Sequence, residues 1–425
     1  MKIKERQMDY QQVIALPREK HHPPQRPSMF FRTFLKTVSA PELRKVGFTL
    51  TEEGMEKLGK DEPALFLMNH SSFIDLKIAS VILWPRPFNI ICTSDGFVGK
   101  APLMRAIGCI PTRKFLTDVT LVRDMNYAVK KLRSSILMYP EASYTFDGTA
   151  TPLPDQLGRF VRMLKAPVVM IKTEGAFARD PLYNMLQIRD VKVSAKMTYV
   201  MSGEEAASKS PEEINQVLRD LFSFDNFRDQ QQSGTVIDEP FRADGLNRVL
   251  YKCPVCGSEG TMEGKGAALT CKSCGSRWTL TETGYLEAES GKGVFDHVPD
   301  WYSWERQCVR KELEDGTYKL DVPVLIRMLV DTRCIYTVGE GRLTHGLEGF
   351  HLTGCDGKLD FSLPPSASYS LYSDYFWYEL GDMICIGDEN ALYYCFPKEG
   401  GDVVAKTRLA AEELYKMTSK KRARS

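Results

Sequence analysis

The sequence predicts an α/β domain, then a small cysteine-centred β unit, then a β-rich C-terminal module closed by a helix. Three observations predict this order. Between about residues 41 and 200, short apolar runs alternate with helix-like segments, the pattern of strands joined by helical crossovers. Two Cys-x-x-Cys pairs, Cys253/Cys256 and Cys271/Cys274, frame a compact Gly- and Lys-rich stretch. Beyond residue 298 the chain becomes aromatic and β-branched, punctuated by Gly and Asp.

Residues 1–40 read as an N-terminal arm. The first part, 1–28, carries charges, His21, His22 and four prolines, and reads as a loosely packed lead-in. Phe30, Phe31, Phe34 and Leu35 then interleave with Arg32 and Lys36. That spacing suits either a helix lying at a membrane interface or one packed on the following domain. The α/β domain spans 41–227. Strands are expected at 64–68, 88–92, 135–139, 168–172 and 191–200, and helices at 72–83, 118–132, 155–164 and 211–222. The last helix opens with Ser210-Pro211-Glu212-Glu213, a start signature with Pro in the first turn.

A linker, 228–249, begins with the polar run Arg-Asp-Gln-Gln-Gln-Ser. The cysteine unit follows at 250–286. The C-terminal module, 298–418, reads as six or more short strands followed by one helix. Gly381-Asp382 and Asp388-Glu389-Asn390 supply turn signals. Such strands with a closing helix resemble a pleckstrin-homology-like barrel. The tail 419–425 holds Lys420, Lys421, Arg422 and Arg424, which suit either contact with anionic lipid or a solvated end.

A chain of 425 residues is long enough for two or three domains with full cores. Its formal net charge of +1 speaks against a general nucleic-acid binder. No stretch reaches the roughly 18 consecutive apolar residues of a spanning helix. The N-terminus is polar and has no signal-peptide pattern. Of the eleven cysteines, seven lie scattered among apolar neighbours, which suits reduced thiols better than a disulfide framework. From these features a cytoplasmic protein is expected.

The sharpest chemical signal is Asn69-His70-Ser71-Ser72-Phe73-Ile74-Asp75, directly after the apolar run 64–68. A carboxylate one helical turn after a histidine can hold one imidazole nitrogen and leave the other free to take a hydroxyl proton. A satisfied structural histidine is the plainer alternative for a lone His. Gly108-Cys109-Ile110-Pro111-Thr112-Arg113-Lys114 adds a tight Gly-led entry and two adjacent cations. Tyr139-Pro140-Glu141-Ala142-Ser143-Tyr144 places a carboxylate just past a buried strand, and Ala166-Pro167-Val168-Val169 enters another. Ligands gather at such strand ends in open α/β sheets.

These four segments, in this order, resemble the blocks of the glycerolipid acyltransferase family over roughly residues 40–225. Asn69, His70 and Asp75 match its Asn-His-x4-Asp block. Gly108 to Arg113 looks like its second block, 139–144 its Phe-Pro-Glu-Gly-Thr-Arg block, and 166–171 its Pro-led strand. The resemblance implies transfer of a fatty acyl group from a coenzyme A or carrier-protein thioester to the hydroxyl of a lysophosphatidate-type acceptor. His70 would be the general base and Asp75 its orienting partner. Asn69, Gly108, Arg113, Lys114, Pro140, Glu141 and Ser143 would line the substrate site, with Arg113, alone or with Lys114, pairing with phosphate. Substrate logic adds peripheral contact with the inner face of a membrane.

The chain departs from the family pattern at Ala142-Ser143-Tyr144, where Gly-Thr-Arg is usual. An aromatic replaces a cation, leaving Arg113 unless Lys114, Arg159 or Lys172 substitutes. The second block is also compressed, with Arg113 five residues after Gly108 where six is common. A less charged acceptor therefore stands beside lysophosphatidate, a hydrolase beside the transferase, and a non-catalytic lipid- or protein-binding scaffold beside both.

The two Cys-x-x-Cys pairs are separated by 14 residues, and Gly257 and Gly275 follow them. Four thiolates suit a closed tetrahedral Zn²⁺ site in a zinc ribbon, a structural metal and not a catalytic one. A redox dithiol would not require two matched pairs.

Overall fold

The computed structural model describes residues 2–115, 118–185, 187–289, 293–399 and 402–422. The chain divides into two compact units. One comprises Lys20–Asp180 and Ile188–Asn226; the other comprises Met1–Glu19, Pro181–Gln187 and Phe227–Ser425.

The chain opens with strand β1 (Glu5–Gln7) and the helical turn α1 (Tyr10–Ile14), both part of the second unit. The first unit is a three-layer α/β sandwich. Its elements are α2 (Met29–Lys45), β2 (Thr49–Glu53), β3 (Leu65–Met68), α3 (Asp75–Ile82), β4 (Phe88–Thr93), α4 (Ala101–Ala106) and β5 (Cys109–Thr112). Then come α5 (Val119–Lys130), β6 (Ser135–Met138), α6 (Leu157–Leu164), β7 (Val168–Glu174), α7 (Ala176–Arg179), β8 (Ser194–Met201), α8 (Gly203–Ser208) and α9 (Pro211–Leu221). The sheet order is β2-β8-β7-β3-β6-β4-β5. All neighbours run parallel except β7 with β8.

Strand β3 lies at the centre and shows why its sequence is apolar throughout. Phe66 and Met68 join one core with Ile78 and Ala79 of α3 and Leu43 of α2. Leu65 and Leu67 join the other with Leu157, Val161 and Leu164 of α6 and Leu218 of α9. Side chains of successive strand residues face opposite sides, so a strand covered on both faces must be apolar at every position. Helix α9 begins as the sequence predicts: Ser210 and Glu213 form a reciprocal capping box behind Pro211.

The lead-in is packed, in contrast to the loose arm expected. In the first unit His21 Nε2 lies 2.9 Å from Asp124 Oδ2, and Asn89 Nδ2 donates to the Gln25 carbonyl at 2.8 Å. In the second unit β1 pairs in parallel with residues 335–337.

The polar run expected to be a linker is helical, as α10 (Asn226–Ser233). Four short antiparallel strands follow, β9 (Met262–Lys265), β10 (Ala268–Cys271), β11 (Arg277–Leu280) and β12 (Leu286–Ala288), in the order β12-β11-β10-β9. The C-terminal module then opens with a helix, α11 (Val298–Glu314), which the strand reading missed. Its seven strands are β13 (Leu320–Leu329), β14 (Ile335–Gly346), β15 (Gly349–Gly354), β16 (Leu359–Leu363), β17 (Tyr372–Trp377), β18 (Gly381–Gly387) and β19 (Leu392–Pro397). They form an antiparallel path β16-β15-β14-β13-β19-β18-β17, with β1 attached to β14. Among the described residues the end strands β16 and β17 do not pair, so the ladders give an open sheet and not a hydrogen-bonded barrel. Helix α12 (Val403–Arg422) closes the module and packs on β17 and β18. The rest of the basic tail, with Arg424, and the side chains of Lys420, Lys421 and Arg422 lie outside the described residues.

Candidate active site

The parallel strands β3, β6, β4 and β5 end at one edge of the first unit, and the ladders fix what meets there. Phe66 pairs with Leu137, Leu137 with Ile90, and Ile90 with Cys109. Four residues beyond each of Phe66, Leu137 and Cys109 stand His70, Glu141 and Arg113, so the register carries all three to the same edge. Strands lie about 4.8 Å apart. Glu141 follows β6, the neighbour of β3, whereas Arg113 follows β5, three strands from β3 in the sheet order.

His70 Nδ1 lies 3.1 Å from Asp75 Oδ2. Asp75 stands in the first turn of α3 and is buried, and the same Oδ2 accepts the backbone N–H groups of Ser71 (2.9 Å) and Ser72 (3.1 Å). Its Oδ1 is buried with no partner. Burial pushes the Asp75 carboxyl up to about 7, against the lowering effect of the Ser72 and Ser71 amides. Burial, with the nearby charge of Lys114, holds the His70 imidazole well below its usual 6.5. Burial thus favours the neutral imidazole, whose Nδ1 faces the Asp75 carboxyl, an arrangement that a general base could use.

Two tyrosines enclose the imidazole. Tyr139 stacks on it with centroids 4.3 Å apart and Tyr144 with centroids 3.9 Å apart. Phe73 tilts against Tyr144 at 5.1 Å and is itself exposed. The His70 side chain keeps only 17% of its surface.

Glu141 acts as a clamp beneath the histidine. Its Oε2 accepts the His70 backbone N–H at 3.0 Å, and its Oε1 accepts the Thr151 N–H (2.9 Å) and hydroxyl (3.1 Å). Asn69 ties β3 to β7: its Oδ1 accepts the Thr173 N–H at 2.8 Å and its Nδ2 donates to Ser71 Oγ at 3.0 Å. Pro140 is buried in the turn after β6, where Ala142 takes a positive φ of 55°. Ser143 is buried and its Oγ donates to the Tyr144 carbonyl at 3.1 Å.

One sequence expectation is redirected by these positions. Gly108 is not brought to this edge: it opens β5 at the opposite end of the sheet. There its φ of 95° and the close approach of the Phe88 carbonyl, 3.0 Å from where a Cβ would sit, require glycine. Arg113 and Lys114 do reach the correct edge, half-buried, and Lys114 is close enough to depress the imidazole. The sequence reading missed Tyr139 as a ring against His70, and it missed Thr151, Ser72 and Asp180. Only tertiary contacts recruit them.

In the other unit the four candidate metal ligands converge, with their sulfurs all within 4.8 Å of one another. Cys253 Sγ lies 3.8 Å from Cys274 Sγ, and Cys256 Sγ lies 3.7 Å from Cys271 Sγ. Four bonds of about 2.3 Å to a tetrahedral ion would place sulfurs roughly 3.8 Å apart, so the cluster fits zinc. The two knuckles are built alike. Gly257 N–H donates to the Cys253 carbonyl and Gly275 N–H to that of Cys271, each at 2.9 Å. Both glycines have φ above 70°.

A family model described as Acyltransferase matches residues 49–173, the stretch that holds β2 to β7 and the His70 edge. Among solved structures the chain is similar to the 1-acyl-sn-glycerophosphate (LPA) acyltransferase PlsC from Thermotoga maritima. The two are 16% identical, the match covers 45% of this chain and 76% of that one, and the TM-score is 0.34. No curated protein matches. Residues 49–173 are thus similar to the acyltransferase family.

Proposed function

We propose that the protein transfers a fatty acyl group from an acyl thioester, acyl coenzyme A or acyl carrier protein, to a hydroxyl of a glycerolipid-type acceptor. The observation that carries this reading is the His70–Asp75 pair at 3.1 Å, at the sheet edge of an acyltransferase-family domain. Nε2 of the neutral imidazole takes the acceptor's hydroxyl proton as that oxygen attacks the thioester carbonyl. The tetrahedral intermediate collapses by breaking the C–S bond, and the thiolate leaves with the proton returned by the imidazolium. Asp75 holds Nδ1 and stabilises the charged ring. Such base catalysis supplies on the order of 10²–10⁴-fold.

Tyr144 shapes the acceptor side. Its ring occupies the face of His70, close to where the family's third block supplies a cation. Lys114 and Arg113 are the cations at this edge, and Arg113 stands three strands away by register. An acceptor with an uncharged or distant head group fits this arrangement better than one whose phosphate sits beside the reacting hydroxyl.

Peripheral membrane contact belongs to the same reading. No described helix is long and apolar enough to cross a membrane. On α2, however, Phe30, Phe34 and Val38, at four-residue spacing, leave 72%, 49% and 53% of their surface exposed. Lys36 lies over the Trp84 ring at 3.5 Å beside them. An apolar stripe edged by cations suits an interfacial helix through which lipid substrates are taken up. Cys253, Cys256, Cys271 and Cys274 would hold one structural Zn²⁺, which orders the two knuckles and the short sheet between them.

The test is to incubate the purified protein with a palmitoyl thioester and separate acceptors: lysophosphatidate, glycerol 3-phosphate, uncharged lysolipids, or none. Release of thiol matched by new ester, with one acceptor, supports the transferase and names the acceptor class. Release without acceptor points to a hydrolase. No release by folded, zinc-loaded protein counts against catalysis and for a scaffold.

A further inference from the structure

Ser72 stands between two carboxylates. Its backbone N–H donates to Asp75 Oδ2 at 3.1 Å, its hydroxyl donates to Asp180 Oδ1, and its Oγ accepts the Ile74 N–H at 3.2 Å. Asp180 Oδ2 in turn takes Arg179 Nη1 at 3.2 Å. Arg179 Nη2 reaches Glu42 Oε1 at 2.7 Å, and the other Glu42 oxygen binds Lys77 of α3. Ser72, Asp180 and Arg179 are only 2%, 5% and 4% exposed.

None of these residues bonds to His70, yet they anchor the turn that orients its partner. Residues 69–72 form no regular element, and α3 begins with no side-chain cap. Besides its contact with His70 Nδ1, Oδ2 of Asp75 is aimed by the Ser71 and Ser72 amides, and Oδ1 is unpartnered. If the Ser72 hydroxyl lost its acceptor, the turn carrying those amides would relax, and the carboxylate could rotate away from Nδ1. A buried carboxylate, arginine and serine joined across 108 positions of sequence are also expensive to desolvate. Helix α3 is already packed on α2, so holding it is not their evident purpose.

We propose that Asp180, locked by Arg179 and acting through Ser72, is a positioning residue that fixes the Asp75 carboxylate and thereby the tautomer of His70. The proposal deepens the general-base reading and rests on it for its kinetic consequence. Its structural consequence can be measured without substrate.

The experiment combines two readouts on the full-length, zinc-loaded protein. Nitrogen-15 NMR of labelled histidine reads the His70 tautomer, with His70→Ala identifying the signal. Thiol release gives kcat and KM. Wild type is expected to show the proton on Nδ1. Asp180→Ala should give a mixed tautomer and lower kcat about tenfold or more, with KM within about twofold, as outer partners of catalytic histidines do. Asp180→Asn keeps an oxygen for the Ser72 hydroxyl and should restore the Nδ1 tautomer and most of kcat. Ser72→Ala should reproduce Asp180→Ala, and it carries both readouts if that variant does not fold. A folded Asp180→Ala or Ser72→Ala protein with an unchanged tautomer overturns the proposal, even if its melting temperature drops. If His70→Ala retains thiol release, the base reading fails, while the tautomer comparison still decides the positioning role.

Discussion

Tyr144 lies nearly parallel to the His70 imidazole, with ring centroids 3.9 Å apart and planes 28° apart. Tyr139 stacks on the same imidazole with centroids 4.3 Å apart, so two aromatic rings cover it. This contact does two things. It removes water from the imidazole, which favours the neutral form, and it sets an aromatic ring, not a charged group, against the histidine.

Opening this sandwich should change the titration of the base. Tyr144→Ala exposes one face, so the His70 pKa should rise from well below 6.5 toward that value, because burial is the first cause of its depression. NMR titration of His70 checks this. An unchanged pKa would mean that Lys114, the second cause, dominates. Tyr144→Arg should instead lower KM for phosphate-bearing acceptors relative to uncharged ones.

Asp75→Asn separates stability from function. A carboxyl whose folded pKa is about 7, above its ordinary 3.8, binds protons more tightly folded than unfolded. Its ionisation therefore costs stability progressively as pH rises from about 4 to 7, and that cost is fully present above 7. Asparagine carries no such cost, so Tm should hold or rise, most clearly at pH 8. Its oxygen, in the place of Oδ2, can still accept the Ser71 and Ser72 amides and meet Nδ1, but it carries no charge to stabilise the imidazolium. Activity should fall by about 10²–10⁴-fold. A variant that is both active and less stable at pH 8 would contradict this.

The same carboxyl sets the pH profile. As pH falls through about 7, Asp75 gains a proton and can donate it to Nδ1, which moves the imidazole proton to Nε2 and blocks base catalysis. Since His70 and Asp75 titrate as a pair, kcat/KM should rise through about pH 7 and level above it. An acid limb centred below pH 5 would show that the carboxylate is not raised.

Glu141→Gln tests the clamp. The glutamine can present its oxygen either to the His70 N–H or to Thr151, and its NH₂ then meets a donor on the other side. Leaving one buried donor unsatisfied should cost roughly 1–3 kcal/mol, read by denaturant unfolding, with kcat reduced because the His70 backbone moves. A change below a few tenths of a kcal/mol would mean the turn after β6 reorganises freely.

For the cysteine cluster, the expected result is one zinc per chain by elemental analysis. Chelation or Cys256→Ala should remove it and lower the unfolding temperature of the second unit, since metal binding energy is folding energy in such knuckles. Full metal content in Cys256→Ala would contradict the four-ligand assignment.

The sequence made the buried half of the fold legible and hid the exposed half. Strands β3, β4, β6 and β7 have buried centres, so each carries a run of apolar residues. Strand β2, Thr-Leu-Thr-Glu-Glu, is exposed at every position on the sheet edge and carries no such run. Helix α11 escaped because Trp301, Tyr302 and Trp304 resemble strand residues. In fact Trp301 is a helix residue that packs edge-on against Trp278, with centroids 4.8 Å apart. Helix α10 escaped because Asn-Phe-Arg-Asp-Gln-Gln-Gln-Ser has almost no apolar periodicity. At the site, His70, Asp75 and Glu141 were legible because each follows a buried strand at fixed spacing. Asp180 and Thr151 were not, because their partners lie 108 and 10 positions away, joined only by the fold.

The most direct test of the central claim compares wild type with His70→Ala in acceptor-dependent thiol release, with fold and zinc content verified for both. Release and ester formation should require both the acceptor and His70, and the variant, though folded, should lose at least about 10²-fold in kcat. Equal rates in the two proteins would contradict it, since the imidazole held by Asp75 would then not be the base.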